Sequence, residues 1–253
     1  MLETKYHFAQ TIVLEAGNFL RQHLHDDLQI EEKGDFTDLV THLDKQVQEM
    51  LTQQIQSRYQ GDGILGEEGG DVSSIHEGNV WVIDPIDGTT NFIAQKTDFA
   101  IMIAYFENGV GKFGIIYDVM RDKLFHGGDS FPVYCNQERL KKPELRPLRQ
   151  SLIGINAKLY AGNAHGVAEL ANQSLGTRSV GSAGIGFTHI LEGRLFAYAS
   201  YLCPWDYAAA SIIGSSLGLV MLSFDGPSLA YDKREFVMLV SESHLEEVKG
   251  YIF

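Results

Sequence analysis

The sequence predicts a mixed α/β fold, and two patterns in its 253 residues favour this class. Apolar residues recur at helical spacing from Leu2 to Leu20, as expected of an amphipathic helix with one buried face. In the second half of the chain, short β-branched runs alternate with helical patterns, which is typical of α/β proteins. We therefore expect helices that pack against β-sheets.

The first half should contain two helices followed by a series of strands. The second helix is expected to begin near Asp38 or Thr41, because Thr41 and Asp44 have the spacing of a capping box. Runs rich in β-branched and aromatic residues then predict strands at 64–65, 80–83, 99–106, 111–118 and 122–126. Residues 107–109 should form a hairpin turn between the third and fourth of these strands.

The second half should alternate between strands and helices. Strands are predicted at 152–155, 195–199, 219–222 and 236–240, and helices at 185–191, at 205–216 and from Ser243 onward. Between the halves, several glycines and Pro132 interrupt regular structure. We therefore place a boundary there and expect an N-terminal half at 1–130 and a C-terminal half at 131–253.

The composition of the chain limits which partners it can bind and in which cellular compartment we expect it. The 33 acidic and 20 basic residues give a formal net charge of −13, which argues against binding to nucleic acid or to an anionic membrane surface. Cys135 and Cys203 are too few and too far apart for a disulfide framework. The N-terminus is too polar for a secretory signal, and no apolar stretch is long enough to span a membrane. We therefore expect a cytoplasmic protein.

The densest polar pattern of the chain is the segment Asp84-Pro85-Ile86-Asp87-Gly88-Thr89-Thr90-Asn91-Phe92. Pro85 lacks the N–H that would continue a β-ladder, so Asp84 should lie at the carboxyl end of the preceding strand. The threonines and the asparagine can open a helix whose free N–H groups face an anion. Two carboxylates beside such an anion would repel it unless cations lay between them, so the segment predicts a site for Mg²⁺ or a similar hard cation. In the alternative interpretation, Asp87 merely caps the next helix.

Segment 84–92 resembles the first signature of the inositol monophosphatase family, whose members are Mg²⁺-dependent, lithium-sensitive phosphatases. Gly66-Glu67-Glu68 upstream and segment 205–209 downstream are similar to further family segments in the same order, and segment 38–44 resembles the start of a family helix. The resemblance covers nearly the whole chain. It implies the layered αβαβα sandwich of the inositol monophosphatase and fructose-1,6-bisphosphatase type, a homodimer, and two or three Mg²⁺ ions per site.

The resemblance also implies roles for individual residues. The Mg²⁺ ligands would be Glu67, Asp84, the carbonyl of Ile86, Asp87 and Asp206. The attacking water would be activated by Thr89, Asp44 and Glu67, and the substrate would be contacted by Gly88, Thr89, Ala183 and Asp206. Taken one at a time, Glu67 could be a solvated loop charge, while Asp44 and Asp206 could serve only as helix caps. Lys33 falls at the position of a family lysine but is interpreted as a solvated charge outside the site.

The substrate is less well defined by the sequence than the metal site. Inositol-specific relatives carry a hydroxyl-binding Glu seven residues before the Asp of the second signature, and this position is Ala199 here. The leading hypothesis is a phosphomonoesterase that hydrolyses inositol monophosphate and other small phosphomonoesters by attack of a metal-activated water. Two alternatives stay open. One is a phosphatase for the 2′-phosphate of NADP, for fructose 1,6-bisphosphate or for nucleotides, and the other is a non-catalytic regulatory protein on the same fold.

Overall fold

Two large β-sheets and the helices around them make up the structure. The computed structural model describes residues 1–33, 36, 39–72, 74–144 and 146–252. Its helices are α1 (Leu2–Gln22), α2 (His42–Arg58), α3 (Thr89–Gln95), α4 (Ala157–Gly162), α5 (Val167–Ala171), α6 (Ala183–Leu191), α7 (Pro204–Ser215) and α8 (Leu245–Lys249). Its strands are β1 (Ile30–Glu32), β2 (Leu39–Thr41), β3 (Gly63–Gly66), β4 (Asn79–Asp87), β5 (Ala100–Glu107), β6 (Val110–Asp118), β7 (Lys123–Gly128), β8 (Phe131–Cys135), β9 (Glu138–Arg139), β10 (Leu152–Ile155), β11 (Gly176–Arg178), β12 (Ala197–Leu202), β13 (Leu219–Ser223) and β14 (Glu235–Ser241).

The two large sheets differ in strand direction. One has seven strands in the order β3-β4-β5-β6-β7-β8-β9, with β3 and β4 parallel and all other neighbours antiparallel. The other has five strands in the order β11-β10-β12-β14-β13, and only β10 runs parallel to both of its neighbours. Strands β1 and β2 form a separate antiparallel pair. The chain therefore completes the first large sheet before it begins the second.

Three buried apolar clusters hold together five layers of helices and sheets. Helices α1 and α2 cover one face of the seven-stranded sheet, where Trp81 and Phe113 are completely buried. Helices α6 and α7 pack between the two sheets, and Phe187 and Tyr207 belong to the cluster that joins them. Helices α4, α5 and α8 cover the outer face of the five-stranded sheet around Phe236. This order of layers confirms the αβαβα arrangement that the resemblance implies.

Most of the predicted elements are present, with ends that shift by a few residues. Helix α2 begins at His42, and Thr41 caps it while Asp44 accepts from the Thr41 N–H at 2.8 Å, which confirms the capping box. Asp38 lies outside the described residues. Strands β5 and β6 form the predicted hairpin, in which Asn108 and Gly109 have φ values of 50° and 79°. Two consecutive positive φ angles are what a tight type I′ hairpin turn requires.

Strand β4 continues through Pro85, so the expectation that the strand ends at Asp84 is wrong. The register against β5 shifts between Asp84, which is opposite Met102, and Asp87, which is opposite Ala100. Pro85 lies inside this irregularity, where its missing N–H is not needed by the ladder. Residues i and i+3 of a regular strand face opposite sides of the sheet. The irregularity therefore allows both aspartates to face one site.

The elements that the sequence did not predict are short. They are β1, β2, β8, β9, β11, α4 and α5, and each has between 2 and 6 residues. Segments of this length are too short to show a hydrophobic period. The seven-stranded sheet runs on to Arg139, while the division of the chain at residue 130 stays a prediction. None of the described helices has the length and apolarity to cross a membrane.

A buried ion pair connects α1 to the seven-stranded sheet. The Lys5 ammonium donates to the Asp62 carboxylate at 2.5 Å and to the Tyr105 hydroxyl at 2.6 Å. Asp62 also accepts from the Trp81 indole N–H at 2.8 Å and from the Asn79 amide at 3.1 Å. Because Lys5 and Asp62 are both buried, each of the two charges depends on the other for compensation.

The substitution Lys5→Met should lower the free energy of unfolding by about 3 to 5 kcal/mol, because Asp62 would keep a buried charge without its cation. Urea unfolding followed by circular dichroism measures this change. The double variant Lys5→Met/Asp62→Asn should recover part of the loss, since neither buried group then carries a charge. A Lys5→Met protein as stable as the wild type would show that the pair does not stabilise the fold.

Candidate active site

Three carboxylates from two layers of the structure meet at one point. Asp84 and Asp87 come from the last part of β4, and Asp206 comes from the first turn of α7. One oxygen atom of each side chain lies within 4.8 Å of the corresponding atoms of the other two. The fold thus brings together three residues that the sequence predicts as metal ligands.

The carboxylate of Asp84 has no hydrogen-bond donor among the described residues. Both of its oxygens are buried, and neither accepts a hydrogen bond. Burial, and then the negative charges of Glu67, Asp87 and Asp206, raise the pKa of Asp84 well above its usual range. A buried carboxylate without a donor is costly unless a cation supplies the missing contact. This unpaired acceptor fits a bound cation.

The N-terminus of α6 holds Asp87 in place. The Asp87 carboxylate accepts from the backbone N–H of Ala183 at 2.9 Å, from that of Gly184 at 2.7 Å and from the Ser182 hydroxyl. Burial raises its pKa, because these donors offset only part of the desolvation. Asp87 does not cap α3, the helix that follows it, so the alternative interpretation of this residue is wrong. Ala183 lines the cleft while its N–H donates to Asp87, and the substrate contact expected of Ala183 stays a prediction.

Asp206 combines a capping bond with a place in the acidic cluster. It is the third residue of α7, and its Oδ2 accepts from the Cys203 N–H at 2.8 Å. Its side chain is partly exposed to the cleft, and desolvation followed by the charges of Asp87 and Glu67 raises its pKa. Helix capping therefore explains only one of the contacts of Asp206.

Glu67 approaches the cluster from the residues after β3, together with Lys33. The Glu67 N–H donates to the Ile83 carbonyl at 3.1 Å, and its carboxylate lies beside Asp84, where burial raises the pKa of Glu67. Lys33 donates to Glu67 at 2.9 Å and also to Glu68. The interpretation of Lys33 as a solvated charge outside the site is therefore wrong. Only its position in the family pattern could have revealed this, because a single lysine in an acidic stretch has no local signature.

Thr89 and Asp44 form the pair that the resemblance implies. The Thr89 hydroxyl oxygen lies 3.0 Å from Asp44 Oδ1 and 3.0 Å from the Ile86 carbonyl oxygen, and its single proton serves one of them at a time. The other oxygen of Asp44 accepts from the Thr41 N–H at 2.8 Å and from the Thr41 hydroxyl at 2.5 Å. Burial outweighs these donors and raises the pKa of Asp44 to about 6. Asp44 thus caps α2 and faces Thr89 at the same time.

Gly88 makes the tight connection between β4 and α3. Its φ is 90°, and a Cβ atom there would lie 2.8 Å from the Ser182 Cβ and 3.2 Å from the Asp98 carbonyl oxygen. Only glycine meets both conditions without strain. The turn places Thr89 first in α3, where a backbone N–H has no acceptor within the helix. The phosphate contacts expected of Gly88 and Thr89 stay a prediction.

A cleft of about 230 Å³ opens beside the cluster. Its walls include Asp87, Ser182, Ala183, Tyr198, Ser200, Tyr201, Asp206 and Arg234. Ala199 is fully buried and packs with Phe236 and Met238 on the outer side of the five-stranded sheet. Since alternate residues of a strand face opposite sides, Tyr198 and Ser200 face the cleft and Ala199 faces away from it. The match of Ala199 to the hydroxyl-binding Glu of inositol-specific relatives is therefore wrong, because a side chain at this position would face away from the cleft.

Comparison with known proteins agrees with this geometry. Residues 1–249 match the Inositol monophosphatase family. The chain is 38% identical to inositol-1-monophosphatase of Bacillus subtilis (strain 168) over 236 residues, which cover 91% of this chain and 89% of that protein.

Solved structures show the same fold. Staphylococcal IMPase-II bound to inositol monophosphate has a TM-score of 0.87 at 30% identity, and the match covers 98% of this chain and 93% of that one. An IMPase/NADP phosphatase in complex with Mg²⁺ and phosphate has a TM-score of 0.89 at 26% identity, over 99% of this chain and 95% of that one. With its family match, its layered fold and its acidic cluster, the chain belongs to the inositol monophosphatase family of phosphoric monoester hydrolases.

Proposed function

We propose that the protein is a Mg²⁺-dependent phosphomonoesterase that hydrolyses inositol monophosphate and other small phosphomonoesters. Asp84 carries this proposal, because its buried oxygens have no donor at the point where further carboxylates converge. Hard divalent cations prefer such oxygen ligands. The names of related proteins, which specify inositol monophosphatase activity and a complex with Mg²⁺ and phosphate, support the same function.

Two or three cations would be held by Glu67, Asp84, the carbonyl of Ile86, Asp87 and Asp206. The carboxylates of Asp87 and Asp206 accept hydrogen bonds from backbone N–H groups but keep further lone pairs for a cation. The Ile86 carbonyl oxygen accepts one hydrogen bond from the Thr89 hydroxyl and has a second lone pair for a cation. Bound cations supply charge neutralisation for the phosphate, a lower pKa for a bound water and stabilisation of the leaving oxygen. Phosphate monoesters need this help, because their hydrolysis requires accelerations up to about 10²¹-fold and one general base gives about 10² to 10⁴.

Thr89 and Asp44 would orient and deprotonate the attacking water. When the Thr89 proton points to Asp44, the hydroxyl lone pairs can accept a hydrogen bond from a water molecule. A proton that leaves the water can then pass through the Thr89 hydroxyl to Asp44. With its pKa raised to about 6, Asp44 is close to the value that a general base needs near neutral pH.

Hydrolysis explains the site better than a purely regulatory role. A binding protein on this fold would not need the Thr89–Asp44 pair beside a cation site, whereas a phosphatase would need both. A phosphate-release assay with and without Mg²⁺ separates the two functions. The homodimer, the inhibition by lithium and the cytoplasmic location stay predictions from the sequence.

Activity should require Mg²⁺, and Asp206→Asn should lower kcat by about 10³-fold, because several kcal/mol of cation stabilisation would be weakened. The amide oxygen can still accept from the Cys203 N–H, so the start of α7 should be preserved. Release of inorganic phosphate from inositol monophosphate measures the effect, with Asp27→Asn on the exposed surface as the matched control. Undiminished turnover by Asp206→Asn, or full activity in excess chelator, would contradict the proposal.

Thr89→Val should lower kcat by about 10² to 10⁴-fold, because it removes the hydroxyl between the water and Asp44 while it keeps the shape of the side chain. Thr89→Ser restores the hydroxyl and should recover most of this loss. Steady-state kinetics at saturating Mg²⁺ compares the two variants. Equal activity in both would show that the hydroxyl has no part in the reaction.

In metal-free protein, Asp84→Asn should be more stable than the wild type, and the difference should grow as the pH rises. The folded protein holds a proton on Asp84 more tightly than the unfolded chain does, because its pKa is raised. The wild type therefore loses stability as the pH rises from the pKa of Asp84 in the unfolded chain, about 4, to its higher pKa in the folded protein. The amide of the Asp84→Asn variant does not titrate, so it causes no such loss. Thermal unfolding in chelator, between about pH 5 and pH 8, measures both proteins. A variant that is less stable at every pH would show that Asp84 is compensated without a cation.

A further inference from the structure

One cation on the cleft wall takes no part in the hydrolysis described above. Among the described residues that line the cleft, Arg234 is the only lysine or arginine. It lines the same cleft as Asp87 and Asp206. A small molecule that fills this cleft of about 230 Å³ would therefore meet both the carboxylates and the guanidinium.

The residue after Arg234 fixes its backbone. Glu235 is buried and accepts from the Tyr207 hydroxyl at 2.6 Å, from the Ala230 N–H at 3.0 Å and from the Ser223 hydroxyl. Tyr207 follows Asp206 directly in α7, so this network joins the segment that carries Arg234 to the helix that carries a cluster carboxylate. The distance between the two groups is therefore set by packed structure.

The guanidinium of Arg234 is available to a ligand. Its Nε and Nη2 atoms both lie 3.4 Å from the Tyr201 carbonyl oxygen, and both residues line the cleft. No carboxylate of the described residues pairs with Arg234, although the chain has a formal net charge of −13. The remaining N–H groups form the planar fork that suits the oxygens of a phosphate.

We propose that Arg234 binds a second phosphate on the leaving group of the substrate, and this inference rests on the proposed phosphomonoesterase function. The acidic cluster with its cations receives the phosphate that is hydrolysed, and Arg234 receives the other. A neutral polyol offers no anion to a guanidinium. The site therefore favours sugar bisphosphates, or nucleotides with a pyrophosphate, over esters of uncharged alcohols.

Pairs of substrates that differ in the second phosphate test this proposal. Fructose 1,6-bisphosphate is compared with fructose 1-phosphate, and NADP is compared with 2′-AMP, by phosphate release at fixed Mg²⁺. The wild type should favour the first member of each pair. Arg234→Gln should lower the ratio of kcat/KM within each pair by about 10- to 100-fold, as expected for the loss of a charge-assisted hydrogen bond.

The loss should appear mainly in KM, because the contact is remote from the reacting phosphorus and is made equally in the ground state and the transition state. Arg234→Lys should keep part of the preference as a point charge. Arg149→Gln, at an exposed arginine that does not line the cleft, should keep the wild-type ratio. Thermal unfolding of each variant checks that it is folded.

An Arg234→Gln enzyme that is folded and active, with the wild-type ratio in both pairs, would overturn the assignment of Arg234 alone. A fall in kcat/KM of equal size for both members of each pair would also overturn it, since the arginine would then support the site without binding the second phosphate. A wild-type protein that hydrolyses none of the four compounds, nor inositol monophosphate, would overturn the proposed function itself.

Discussion

The main constraint on this structure is that it holds like charges close together in a largely buried site. Asp84, Asp87 and Asp206 meet between the two sheets, where burial raises the pKa of each, and repulsion raises those of Asp84 and Asp206 further. Such a cluster persists only if the elements that carry it cannot move apart. The apolar cluster that contains α6 and α7 joins both sheets, and the clusters outside it hold the sheets in place. The positions of the carboxylates are thus a property of all five layers.

Most of the site carboxylates accept hydrogen bonds from backbone N–H groups. The same residue can therefore cap a helix and serve the site, so these two interpretations of the sequence did not exclude each other. Asp44 and Asp206 each cap the helix that carries them, while Asp87 receives the N–H groups at the start of α6. Each bond fixes a side chain and leaves acceptor capacity toward the site. Glu67 accepts from the Lys33 ammonium instead, whereas no described group orients Asp84. A residue that only stabilised the fold would not be left in this state.

Local patterns in the sequence were sufficient for most helices and strands, and the dense motif at 84–92 was sufficient for the family resemblance that implied the layered fold. The sequence was not sufficient for the strand irregularity around Pro85, which depends on the register of β4 against β5. The same limit explains the error at Ala199, since the direction of a side chain follows from packing between strands and helices. Lys33 was missed because its partners are distant in sequence and meet it only in the folded chain.

Activity and stability make opposite demands on the same residues. In the metal-free protein the carboxylate of Asp84 opposes folding, because it is buried, unpaired and close to other negative charges. A cation that binds only the folded chain stabilises it by mass action, and it also relieves this repulsion. Folding and cation binding are therefore coupled through the site, beyond the contribution of any single ligand. The cation that we propose at Asp84 thus explains a carboxylate at this position, since a neutral side chain of the same shape would serve the fold better.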